Sequence, residues 1–305
     1  MRALIAGATG FVGRRLASTL GESGVEVRGL VRDRGRAGDL ERDGVELHEG
    51  DVLDADSLAG AGRDVDMAYY LVHSMGRGAD ADFVERERTA ARNFARMASA
   101  EGVGRVAYLG GLGGDEADSR HLRSRHETGE ILRDEGPPLT YFRAAMVVGS
   151  QSESYRMLRD LVKRLPFMIA PSWLETPTQP IGIDDVVAYL DQTPRVEAST
   201  GREIEIGGTD VVSYGEMLDL MARALGIRPR PKLRVPLLSP GLSSLWIGLV
   251  TPVDAGVARP LVEGLRTPTV VEDRTGAALF DVEPQPLEET LRRAIAEDYA
   301  QHAAA

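Results

Sequence analysis

Three evenly spaced glycines carry the first recognisable chemistry of the chain. Met1–Ala6 reads as a short buried strand, and Gly7-Ala-Thr9-Gly10-Phe11-Val12-Gly13 follows at once and opens a helix. Glycine at these positions lets the backbone turn tightly and approach a ligand with no Cβ in the way. It also leaves N–H groups at a helix N-terminus, where the dipole favours a pyrophosphate. A glycine triplet alone is a weak signal; the strand before it and the helix after it supply the context a dinucleotide turn requires. Val12, Leu16, Ala17 and Leu20 recur at helical spacing, and Gly24 stops the helix.

A second group lies where the next strand ends, at Leu30-Val31-Arg32-Asp33-Arg34. An acidic side chain here suits a ribose 2′-hydroxyl, whereas a 2′-phosphate wants arginine. Arg32, helped by Arg34 or Arg36, favours NADP, and Asp33 keeps NAD open. A solvated charge cluster is the plain alternative.

His121 and Arg125 form a third group, four residues apart and therefore on one helix face. Arginine stays charged and binds hydroxyls or phosphate in fork geometry. Its charge would depress the histidine pKa and leave a neutral imidazole able to give or accept one proton. The plain alternative is a solvated arginine-rich helix with Glu127 and Glu130 as partners. His121, His126, Glu127 and Glu130 do not meet metal-binding spacing, so no metal is expected. Asp184-Asp185 reads as a helix N-cap with a favourable dipole contact.

The elements that must position these groups follow from alternating periods. Strands are expected at Val25–Val31, Val45–Glu49, Val65–Val72, Arg105–Leu109 and Leu139–Val148, with helices over about 82–101 and 119–134 and a short one beginning at Asp54. Strand and helix alternate, which argues for an α/β fold with a doubly wound parallel sheet over residues 1–150. After Gly149 prolines become frequent, and 151–305 reads as a smaller mixed α/β substrate lobe, partly interleaved with the first. With 305 residues and 43% hydrophobic content the chain can bury a large core. Its net charge of −11 argues against nucleic acid as a main partner. There is no cysteine, which excludes disulfides, thiolate nucleophiles and cysteine–zinc sites. No charged-then-apolar leader precedes the first strand, so a cytoplasmic protein is expected. The apolar stretch Leu233–Val250 is broken by Pro236, Pro240, Gly241 and Gly248, so no transmembrane helix is expected.

The glycine turn, Gly50-Asp51-Val52, Arg143-Ala-Ala145-Met-Val-Val-Gly149, Gln179–Val186 and Gly201–Gly208 together resemble the atypical or extended short-chain dehydrogenase/reductases. The similarity is greatest to the NmrA-like and complex-I-accessory-subunit-like NAD(P)H-binding proteins and covers nearly the whole chain. It implies a Rossmann domain, a smaller C-terminal lobe and a cleft between them. It further implies that Asp51 and Val52 meet the adenine, and that Leu71, His73 and Ala145 line the cofactor. Asp51 could equally cap a turn, and His73 is more simply a wall residue than a catalyst.

Ordinary members of that family pair a tyrosine with a lysine four residues later, and place a serine after strand five. Neither Lys163 nor Lys232 follows a tyrosine at that spacing, and the serine position reads Gly110-Gly-Leu-Gly-Gly114. In register, His121 stands for the tyrosine and Arg125 for the lysine, which makes Arg125 the candidate ribose holder and His121 the candidate proton partner. Leu165–Trp173 and Leu237–Val250 concentrate Phe, Met, Trp and Leu, suggesting a mostly apolar substrate such as a carbonyl compound, an enone or a quinone. Trp246 with Leu242, Leu245, Leu249 and Val250 could instead form a dimer or membrane-surface contact. Two functions stay open: an NADP-dependent oxidoreductase, or a non-catalytic NADP(H)-binding sensor or assembly partner.

Overall fold

The structure, a computed structural model, describes residues 1–72, 80–113, 119–165, 167–170, 172–234 and 264–303. His73 and the Leu242–Val250 face lie outside the described residues. The sequence alternates as expected into β1 (Arg2–Ala6), α1 (Phe11–Glu22), β2 (Glu26–Val31), α2 (Gly38–Arg42), β3 (Glu46–Glu49), β4 (Met67–Tyr70), α3 (Asp80–Ala100), β5 (Arg105–Gly111), α4 (Arg120–Glu135) and β6 (Leu139–Ala144). These strands join β9 (Glu203–Ile206) in one seven-stranded sheet of order β9-β6-β5-β4-β1-β2-β3. Every neighbouring pair is parallel. The strand order reverses between β1 and β4, and ligands of open α/β sheets bind at the strands' carboxyl ends at such a point.

Parallel strands covered on both faces must be apolar throughout, and β4 is buried at all four positions. On one face Leu16 and Leu20 of α1 pack with Val186 and Leu190 of α6 (Ile183–Gln192). On the other, Ala91 and Phe94 of α3 pack with Leu132 of α4. A separate core joins Leu158 of α5 (Glu153–Arg164), Met217 of α7 (Tyr214–Ala224) and Leu291 of α8 (Leu287–Ala303).

Three local expectations need correction. The apolar run Leu139–Val148 is not one strand. β6 ends at Ala144, and β7 (Val147–Val148) pairs instead with β8 (Ile181–Gly182). The switch of partner is visible in the hydrogen bonds: Leu112 N–H donates to the Ala144 carbonyl, and Ile181 N–H to that of Met146. The segment from Asp54 forms only a single 3₁₀ turn at Asp56–Leu58. Asp184 and Asp185 are not the cap of α6, because Gly182 occupies that position. They sit in the first turn, where the dipole still favours them, and the Asp185 carboxylate reaches back to the Gly182 N–H.

Candidate functional site

The carboxyl ends of the sheet open into a cleft of about 690 Å³, within the range of small-ligand sites. Its floor is the glycine turn. Gly7 has φ +90, and a Cβ there would lie 2.7 Å from the Leu71 carbonyl oxygen. A Cβ on Gly13 would overlap the Gly7 carbonyl, so α1 leaves the strand this closely only without a side chain. At Gly10 the added Cβ meets only the Gly7 oxygen, at 3.1 Å, and the remaining space opens toward the cleft. Gly10 is also the N-cap of α1, with no side-chain cap and no acidic residue in the first turn. The first N–H groups of this helix are thus left for an anion. Thr9, Phe11 and Val12 line the same floor. The Phe11 ring packs so closely on Gly149 that a Cβ there would stand 2.5 Å away.

One end of the cleft is built from the ends of β2 and β3. Arg32 is exposed and lines the cleft. Asp33 instead caps the following 3₁₀ turn, its Oδ1 accepting the Arg36 N–H at 3.3 Å. Arg34 is held by Glu41 at 3.0 Å. Asp51 accepts the Leu53 N–H on Oδ1 at 3.0 Å, so it closes a turn while also lining the cleft. The Val52 carbonyl takes the side-chain amide of Asn93 at 2.9 Å.

At the far end, His121, Arg125, Leu71 and Ala145 all line the cleft. Loss of solvation first, and the neighbouring Arg125 charge second, push the His121 pKa down to about 3. The imidazole is therefore neutral at pH 7, as its neighbour predicts, though burial is the larger cause. Arg125 donates to the Leu109 carbonyl, and its guanidinium lies 5.3 Å from the centroid of the Tyr108 ring. Glu127 pairs with Arg88 at 2.6 Å and Glu130 with Arg133.

Several lining residues were not anticipated from the sequence. Arg86 comes from the second turn of α3, while Tyr214, Leu265 and Thr269 come from the far end of the chain. Burial raises the Tyr214 pKa, opposed by hydrogen bonds with Thr178 and Thr269. No local spacing marks Tyr214, Leu265 or Thr269, because the fold alone brings them to the cleft. Arg86 did carry a signal: it lies seven residues before Asn93, hence on the same helical stripe.

Residues 7–159 match a family described as NAD(P)H-binding, just over half of the chain. The chain belongs to this NAD(P)H-binding family. Over 240 residues it is 27% identical to NADH dehydrogenase [ubiquinone] 1 alpha subcomplex subunit 9, mitochondrial, of Arabidopsis thaliana. That alignment covers 75% of this chain and 59% of the plant subunit, so the chain spans less than two thirds of that relative. It is 26% identical over 225 residues to a (4-alkanoyl-5-oxo-2,5-dihydrofuran-3-yl)methyl phosphate reductase of Streptomyces griseus, covering 73% of each protein. In fold it is similar to the Citrobacter sp. triphenylmethane reductase complexed with NADP(H), with a TM-score of 0.74, 15% identity, and coverage of 96% and 100% of the two chains. Among the described residues no helix is long and apolar enough to cross a membrane.

Proposed function

We propose that this NAD(P)H-binding protein is an NADP-dependent oxidoreductase that reduces a mostly apolar carbonyl, enone or quinone-like substrate without a Tyr–Lys pair. The observation that carries the cofactor preference is the division of labour after β2. Asp33 spends an oxygen on its own turn, and Arg32 alone of the pair lines the cleft. A carboxylate turned back into the backbone is poorly placed for a ribose diol, while a cleft-lining guanidinium suits a 2′-phosphate. The glycine cradle fits the pyrophosphate for the reasons given by Gly7, Gly10 and Gly13.

The bound cofactor supplies a hydride, two electrons with one proton, to an electrophilic carbon of the substrate. What the chain contributes is position and polarity. Arg125 is the group on α4 suited to the inner ribose. His121, being neutral, is a poor acid at pH 7, since its imidazolium is unpopulated and its N–H is very weakly acidic. Its role is to donate a hydrogen bond to the substrate oxygen, where negative charge builds as hydride arrives. The completing proton then comes from water. The Streptomyces relative, by name a reductase of an acylated unsaturated ring, supports this substrate class. Placement in the cytoplasm rests on composition.

A second reading has its own observation. The absent Tyr–Lys pair and the relationship to a complex I subunit favour a non-catalytic NADP(H)-binding partner. NADPH oxidation measured against a panel of quinones and enones separates the two. Turnover that falls in His121→Phe supports the enzyme, and tight NADPH binding with no turnover across the panel supports the binding protein.

A further inference from the structure

Helix α3 distributes its arginines unequally. Arg88 pairs with Glu127 at 2.6 Å, while Arg92 and Arg96 share Glu135, each at 2.9 Å. All three are thereby committed to the α3–α4 seam. Arg86 is different. It is half-buried, it lines the cleft, and among the described residues it forms no ion pair or hydrogen bond. A partly buried cation with no partner is costly unless something compensates it.

Its direction follows from the helix. Seven residues separate Arg86 from Asn93, which is two turns less about 20° and about 10.5 Å along the axis. The two side chains therefore share a stripe. Asn93 fixes that stripe, because its amide donates to the Val52 carbonyl at 2.9 Å. Ala90, one turn from Arg86, is buried in the same core cluster as Val52. The stripe thus runs along the Asp51–Leu53 loop, and at Arg86 it reaches the cleft that Asp51, Val52 and Leu53 also line. Arg32 faces that space from the β2 end.

We infer that Arg86 is a further cofactor-binding residue, laying its guanidinium plane against the adenine from the α3 side. A planar, weakly hydrated cation suits an aromatic base better than a point charge does. The adenine contact is common to both cofactors, so Arg86 sets affinity for either one, whereas Arg32 sets the choice between them. The inference rests on the proposed function, in which Arg32 meets the adenosine 2′-phosphate, and places the base against the Asp51–Leu53 loop that lines the same end of the cleft.

Calorimetric titration with NADPH, NADH and ADP-ribose tests it, since ADP-ribose keeps the adenosine and pyrophosphate without the nicotinamide or the 2′-phosphate. Arg86→Ala should weaken all three by a similar factor, about three- to thirty-fold, the scale of a desolvated cation–π contact. Arg86→Lys should recover only part of the loss, because the charge returns without the plane. A loss confined to NADPH would overturn the assignment and make Arg86 a phosphate ligand. Unchanged binding in Arg86→Ala, or full affinity in Arg86→Lys, would also overturn it. Failure of the underlying placement looks different: the wild-type protein would bind none of the three, or Gly10→Val would bind them all undiminished.

Discussion

Arg32 and Asp33 are adjacent in sequence but do different work, and the difference is testable one residue at a time. Arg32→Ala should cost NADPH roughly 1.5–3 kcal/mol, the worth of a charge-assisted phosphate contact, and leave NADH binding unchanged. Equal losses for both cofactors in a calorimetric titration would sink the NADP assignment. Asp33→Ala should leave cofactor preference alone and lower stability by about 0.5–2 kcal/mol, the cost of a lost N-cap. His121 gives a second pair of outcomes. His121→Phe should bind NADPH as the wild type does but turn over about 10²–10³-fold more slowly, the scale of a lost transition-state hydrogen bond. Its pKa of about 3 also fixes a stability effect. The unfolded chain takes up this proton near pH 6.5, but the folded chain does so only near 3. Between these values the unfolded state binds more protons, so stability falls as pH drops from about 6.5 toward 3. Thermal melts of His121→Phe should show a shallower fall over that window, and identical slopes would contradict the neutral, desolvated imidazole.

At the scale of elements, the glycine turn was legible because each glycine answers a local steric demand. Those demands differ, which yields a further prediction. Gly13 faces backbone of the same turn, so Gly13→Ala must displace the start of α1 and destabilise the fold. Gly10 faces the cleft, so Gly10→Val should keep a near-native melt and lose cofactor binding, its branches filling the pyrophosphate space. Intact binding in Gly10→Val would put the cofactor elsewhere. The break at Ala145-Met146 was not legible, since Leu139–Val148 is apolar throughout and period alone cannot report a change of strand partner. The same holds for Asp184-Asp185, where two acids resemble a cap and Gly182 takes the position. Arg86 shows the intermediate case: its stripe is written in the sequence, but which α3 arginines find carboxylates is decided by α4.

Across the whole molecule, the cleft draws on both ends of the chain, and a cluster of charges ties those ends together. Arg15, one turn into the cofactor helix, pairs with Asp184 of α6 at 2.8 Å and Glu297 of α8 at 2.7 Å. Asp184 also pairs with Arg293 at 2.8 Å, and Glu297 accepts from the Ser150 hydroxyl at 3.0 Å. Burial pushes the Asp184 pKa up, but Arg293 and Arg15 outweigh it and hold the carboxyl below its usual range. A depressed carboxylate pKa contributes stability that is complete above the unfolded value near 3.9 and is lost as pH falls through the folded one. The side chains are about a third or more exposed, so solvent screens the pairs and each contributes at most about 1 kcal/mol. Arg15→Ala should accordingly lower the melting temperature by roughly 2–4 °C at neutral pH, and by less in high salt. The deficit should shrink as pH falls from about 3.9 toward the depressed folded pKa of Asp184, because over that window the unfolded chain takes up the proton that the folded one does not. Arg15 does not line the cleft, so NADPH at a hundredfold its Kd should add about 2.7 kcal/mol to wild type and variant alike. A smaller NADPH-induced shift in Arg15→Ala would show that the charge cluster holds the glycine turn in its binding geometry as well as joining the two cores.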